Sequence, residues 1–475
     1  MKLTAVNVLS VASLPVIVLA HARHPNPHNY RQVLAASPSS SSPLSSSSGT
    51  PASGTVVSTT LLPTPTGSTP SISLQSTNPT AVPLSNIVVN APSAATSIMP
   101  SPAPPGTTPS NIPKAPGLPN ISTLSPGNYP PLDRPPPTDS PEVQQWIKEV
   151  QESGVEIPDF SPTVAGGCPA NPDAVADSSR CWWTCGGCTR ETDVTTCPQK
   201  YNWGLTYDDG PAPYTPDLLN YLDQVKLSAT FFVVGSRVIS YPALLQQEYL
   251  KGHQIAVHTW SHYSLTTLST EEIIAEFGWT KKVIKDVLGV TPTMMRPPIR
   301  DRVRAICEAM NLIPVMWTRI SPTATFDTDD FNIHGGVTNV QQVLYNWENI
   351  LGNVSTIDTG FIVLEHDLFQ QTVEVATGYI LPDALAHQPS FKIQPVVECL
   401  DLQPGDAYLE TNDNSTNPLP ISSDGNSTNS TSSSSGQSSS GSGSGNTKNG
   451  ALTGAVMNIG GLAVTVVLGV LAITL

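Results

Sequence analysis

Between Trp203 and Pro395 apolar residues recur with two distinct spacings, whereas from about residue 24 to 140 neither spacing is sustained. Short unbroken apolar runs at Ala229–Val234, Ile255–Val257, Leu312–Trp317 and Phe361–Leu364 read as buried strands. Between them, apolar residues at every third or fourth position predict helices at Pro216–Val225, Tyr241–Lys251, Thr270–Leu288 and Asp301–Met310. Strands alternating with helices predict an α/β fold whose parallel sheet closes, or nearly closes, into a distorted (β/α) barrel. Polar clusters at the C-terminal ends of successive strands then converge on one rim.

Four such clusters stand out. In the first, Thr206-Tyr207-Asp208-Asp209-Gly210-Pro211, the apolar Trp203-Gly204-Leu205 and Tyr207 make a buried strand, and Gly210-Pro211 stops it just after two adjacent carboxylates. Next come His258 and His262, four residues apart; on a helical turn they share one face and grip one metal, with Asp209 or Asp208 as the third ligand. Arg296-Pro297-Pro298 and Leu364-Glu365-His366-Asp367 each follow an apolar run, adding a cation and a third imidazole to the same rim. Two adjacent buried acids are costly without a cation, so the set reads as a metal hydrolase. His253 and His334 lie outside any cluster and read as structural, as do Glu365 and Asp367.

Composition narrows the foldable part. Of 475 residues 47 are Pro, and from about residue 24 to 140 the chain is Ser, Thr, Pro and small apolar residues with no period. Such a stretch is expected to stay unpacked, as a glycosylated stalk or removed propeptide, because it buries too little to offset its chain entropy. The expected order is a secretory signal at 1–20, this segment at 21–140, a helix and Cys-rich module at 141–200, the catalytic domain at 201–400 and a Ser/Gly/Asn-rich stalk at 401–449. Residues 450–475 read as a removed glycolipid-anchor signal, with attachment at Asn449. Sequons at Asn120, Asn353, Asn414, Asn426 and Asn429 suit a secreted chain.

Five of the seven cysteines (Cys168, Cys181, Cys185, Cys188 and Cys197) precede the first cluster, and in an oxidising compartment they read as disulfides. Cys307, in an apolar helical stretch, is the expected odd thiol. Trp182-Trp183 is expected to pack on the disulfides, with sugar stacking as the alternative. A net charge of −15 without basic clusters excludes nucleic acid as a partner, and the expected state is a monomer.

With these residues in view, the region from about 200 to 400 resembles the polysaccharide deacetylases of carbohydrate esterase family 4. Thr206–Pro211 matches that family's first motif, His258–His262 the second, Arg296-Pro297-Pro298 the third, Asp327-Thr328-Asp329-Asp330-Phe331 the fourth and Leu364–Asp367 the fifth. There are departures: Phe331 replaces a Trp, and Ile299-Arg300 replace an aromatic residue and a Gly. The resemblance implies that Asp209, His258 and His262 hold one divalent metal, zinc or alternatively cobalt, and that Asp208 is the general base. It further implies that Arg296 orients Asp208, that His366 supported by Asp330 is the general acid, and that the Ile299 amide completes the oxyanion hole. Leu364 and Trp317 are expected to wall the acetyl pocket. The activity implied is N-deacetylation of chitin or its oligomers to chitosan and acetate, by an extracellular protein tethered to membrane and cell wall through a glycolipid anchor. Acetylxylan or peptidoglycan, or glycan binding without turnover by a wall mannoprotein, are the alternatives.

Overall fold

The apolar runs become strands, each shorter than its run, in a computed structural model that describes residues 71–296 and 301–412. Among those residues the strands are β1 (Asn202–Gly204), β2 (Thr206–Asp208), β3 (Thr230–Val233), β4 (Gln254–Val257), β5 (Met294–Met295), β6 (Ile313–Pro314), β7 (Phe361–Ile362) and β8 (Lys392–Gln394). All their pairings are parallel, in a five-stranded sheet ordered β2-β3-β4-β5-β6 and a three-stranded sheet ordered β7-β1-β8. Leu205 joins the two: its N–H donates to the Gln394 carbonyl and its own carbonyl accepts from Thr230.

The ring closes through irregular chain, which is the distortion. The Thr318 N–H donates to Ile362, Asp327 bridges Leu364, and Asp208 bridges His366. The run Leu312–Trp317 yields a two-residue strand, with the Ile313 and Val315 N–H groups donating to Thr293 and Met295 of the β5 side. On its other edge Val194 bridges Val315, donating to the Pro314 carbonyl and accepting from Met316.

Helices cover the outside. Thr215–Val225, Pro242–Leu250, Thr270–Leu288 and Asp301–Ala309 lie within a residue of their expected ends. The third is bounded by local chemistry: Ser269 and Glu272 form a capping box at its start, and Gly289 takes the left-handed conformation, φ 81°, at its end. The structure adds Val340–Val354, capped by Asn339 and burying Val340, Val343, Leu344, Trp347, Ile350 and Val354.

The segment before residue 140 corrects the expectation of an unpacked stalk, for its described part. Residues 71–140 run along the domain as an extended arm, and Ile87, Ile112, Leu118 and Ile121 are buried in the common core. The arm's backbone groups are satisfied by the domain: Asn78 donates to the Gly378 carbonyl, Ala103 to Gln246, and the Val88 carbonyl accepts from Gln371. A proline-rich chain has less freedom to lose on docking, so a few isolated anchors suffice. Ile112→Val should therefore cost about 0.5–1.5 kcal/mol in denaturant unfolding, the usual range for this truncation in a packed interior. A dangling segment would show no change.

Three disulfides form, Cys168–Cys185, Cys181–Cys188 and Cys197–Cys399, and leave Cys307 as a buried thiol. Arg304 fastens the cysteine module to the barrel, donating to Asp193 and to the carbonyls of Cys181 and Cys188. Trp182 and Trp183 are buried in packing, and Trp183 meets Trp317 edge-on at 5.8 Å. Asn120 is exposed and Asn353 partly so. The signal at 1–20, the sequons at Asn414, Asn426 and Asn429, the attachment site Asn449 and the anchor signal lie outside the described residues. No helix among the described residues is long and apolar enough to cross a membrane.

Candidate metal centre and active site

Asp208 and Asp209 stand side by side at the end of β2 and serve different partners because Asp209 turns into the left-handed region, φ 81°. Its carboxylate oxygen Oδ1 lies 3.3 Å from His258 Nε2 and 3.1 Å from His262 Nε2. Ligand atoms from these three side chains fall within 4.8 Å of one another, and among the described residues no other such group of His, Cys, Asp or Glu is found.

The two histidines do not occupy a helical turn, which corrects that part of the expectation. They sit on an irregular loop after β4 in which Thr259, φ 74°, and His262, φ 59°, are both left-handed. Glu276 shapes the loop from the helix Thr270–Leu288, accepting from the N–H groups of Trp260 and Ser261 and from the Ser261 hydroxyl. Burial pushes this carboxyl up to about 7 against those hydrogen bonds. Glu276 has no motif of its own in the sequence.

The donor set fits a cation. His258 Nδ1 is 2.5 Å from the Arg296 carbonyl, so it carries the hydrogen and leaves the Nε2 lone pair facing Asp209. Asp209 Oδ1 is buried and has no hydrogen-bond donor, an arrangement of facing acceptors that a positive ion resolves. Two imidazoles and one carboxylate are the ligand chemistry of a catalytic zinc site. Burial raises the Asp209 carboxyl, and without an ion it takes protonated His262 and His258, with His366 and Arg237, to hold it well below the usual carboxylate range. Arg237 also donates to the Asp209 carbonyl at 2.5 Å; nothing in the sequence pattern marks it.

Asp208 is buried and tied elsewhere. Its Oδ1 accepts from Arg296 Nη1 at 2.8 Å, while the same guanidinium donates to Thr206 Oγ1 and to the Val315 carbonyl and lies 4.3 Å from the Phe232 ring centroid. Across the bridge from Asp208, His366 Nδ1 pairs with Asp330 Oδ1 at 2.7 Å, and the His366 N–H donates to the other oxygen of Asp330. Burial lowers the His366 pKa, but the Asp330 charge and hydrogen bond, helped by Asp209 and Asp208, outweigh it and lift it to about 10.

Phe331 lies against the His366 imidazole, with ring centroids 4.9 Å apart. Leu364 is buried two residues before His366, and Trp317 is held by Thr325 Oγ1 at 2.8 Å and by Trp183. Pro297, Pro298, Ile299 and Arg300, with the proposed oxyanion donor among them, lie outside the described residues.

A sequence profile for the polysaccharide deacetylase family matches residues 195–316. The chain is also 48% identical over 351 residues to chitin deacetylase 1 of Cryptococcus neoformans var. grubii, an alignment covering 72% of this chain and 73% of that protein. This chain belongs to the polysaccharide deacetylase family. Chitin deacetylase 2 of Cryptococcus neoformans var. neoformans is 37% identical over 241 residues, covering 46% of this chain and 50% of that relative. A solved chitin deacetylase from Colletotrichum lindemuthianum is similar over 46% of this chain and 95% of its own, at 25% identity and a TM-score of 0.40. The deacetylase profile takes in the clusters at Asp208, His258 and Arg296 and stops before those at Asp330 and His366.

Proposed function

We propose that this protein is a metal-dependent hydrolase that removes the N-acetyl groups of chitin or its oligomers, giving chitosan and acetate. The observation that carries the reading is the division of labour between adjacent aspartates: Asp209 faces two imidazoles, while Asp208 is held free of them by Arg296. The relatives named as chitin deacetylases support the substrate.

Asp209, His258 and His262 would hold one divalent ion, zinc, with cobalt able to replace it. Such an ion supplies Lewis acidity, making water acidic enough to attack near neutral pH. Asp208 takes the proton from the attacking water, and Arg296 fixes the carboxylate that does so. His366 is charged at neutral pH and gives its proton to the departing amine as the carbonyl carbon–nitrogen bond breaks. Asp330 keeps that imidazole charged and aimed. The first amide after Pro297-Pro298, that of Ile299, is the expected oxyanion donor, and Leu364 and Trp317 the walls of the acetyl pocket.

Removing the Asp330 charge gives a signed prediction. The imidazolium of His366 loses its nearest anion in Asp330→Asn, so its pKa falls. The alkaline limb of kcat/KM, which needs protonated His366, should move to lower pH by about one to three pH units, the usual effect of a charge this close. The same pair links stability to pH. With a folded value near 10 against an ordinary 6.5, its contribution is whole below pH 6.5 and is lost as pH rises through about 10.

The chain is read as secreted and monomeric, tethered through a glycolipid anchor at the cell wall; three disulfides suit that compartment. The test of substrate is acetate release from N-acetylglucosamine oligomers beside acetylxylan and peptidoglycan. Release from the oligomers is expected to dominate. Preference for another glycan would overturn the substrate, and bound metal with no release from any would favour a binding protein.

A further inference from the structure

Two aromatic pairs span the same two loops in step. Phe331 meets His366, and three residues further along each loop His334 stacks on Phe369, with centroids 3.9 Å apart and planes 7° from parallel. His334 and Phe369 belong to no motif, and both are partly exposed. Beside them three valines carry apolar surface into solvent. Val337 is 60% exposed, and Val88 and Val89 of the arm are 44% and 41% exposed. They share this face: the Val89 side chain lies against Gly336, and the Val88 carbonyl accepts from Gln371, two residues past Phe369. One exposed valine is ordinary, whereas several beside a stacked pair make a patch that calls for an occupant.

We propose that the His334–Phe369 pair, flanked by Val88, Val89 and Val337, is a glycan-binding platform for sugar units adjoining the one deacetylated at His366. This rests on the reading of the site as a chitin deacetylase. A pyranose ring presents an apolar face of C–H groups and a rim of hydroxyls and amides. Flat rings with a polar nitrogen at hand are matched to that pattern. Continuity supplies the direction, because the row of rings begins at the imidazole that protonates the leaving amine. A chain with its acetamide there would pass along the row. The arm that supplies Val88 and Val89 lies outside residues 195–316, the stretch that the family profile matches.

The test uses the full chain with its metal and compares the hexamer with the dimer of N-acetylglucosamine. Phe369→Ala should lower the hexamer-to-dimer ratio of kcat/KM about tenfold, through KM, because it removes uniform binding to units beyond the reacting one. Phe369→Tyr should restore the ratio, and Val89→Asp should lower it as well. A parallel titration measures hexamer affinity in the Asp208→Asn background, where turnover does not interfere; Phe369→Ala should weaken it by the same factor. An unchanged ratio with unchanged affinity would overturn the platform, as would an equal loss of kcat on both substrates, which would mean that the rings serve His366. Failure of the unsubstituted protein to release acetate from either oligomer would instead overturn the substrate reading, and the affinity comparison would still decide the platform.

Discussion

Asp208→Asn is expected to keep one metal ion per chain and to lose turnover by about a hundredfold to ten-thousandfold, the usual cost of deleting a general base. The substitution preserves shape, and asparagine can still accept from Arg296 Nη1 through its amide oxygen. What disappears is the charge that takes a proton from water. Because Asp208 does not face the two imidazoles, elemental analysis should find the metal undisturbed. Loss of metal in this variant would show that the two aspartates have exchanged roles.

His262→Asn should have the opposite signature. His262 stands in the left-handed region at φ 59°, where a non-glycine residue is strained and asparagine is among the best tolerated. The backbone of the loop is therefore kept while one of three metal-binding groups is lost. Outer partners of metal ligands typically contribute about ten- to a hundredfold in affinity, and removing a ligand itself should exceed that range. Acetate release should fall to background at ambient zinc and recover in part when zinc is supplied in excess. Full activity with one tightly held ion would remove His262 from the metal site.

The residues of the candidate site were readable from sequence because each polar cluster follows an apolar run, and strand ends in such folds converge. That logic placed Asp208, Asp209, Arg296 and His366 on one rim without any knowledge of distances. It could not supply the backbone between His258 and His262. A four-residue spacing suits a helical turn, yet two left-handed residues bring the imidazoles together on a loop, held there by Glu276, which lies fourteen residues beyond His262 on the helix Thr270–Leu288. Buried acids of that kind sit inside an ordinary helical period and carry no local mark.

The arm was unreadable for a different reason. Periodicity reports elements that bury a whole face, whereas Ile87, Ile112, Leu118 and Ile121 each dock singly, separated by proline-rich chain. Low regularity was taken for low burial. The helix Val340–Val354, absent from the expected elements, does carry a period, with buried residues at 340, 343, 344, 347, 350 and 354, so there the signal was present and was missed.

The most direct test of the central claim is a metal titration of the chelator-treated protein, verified metal-free by elemental analysis, with acetate release from the N-acetylglucosamine hexamer as readout. The account predicts no release before addition, a rise in proportion to added zinc, and a plateau at one equivalent per chain. A full rate from the metal-free protein would contradict it.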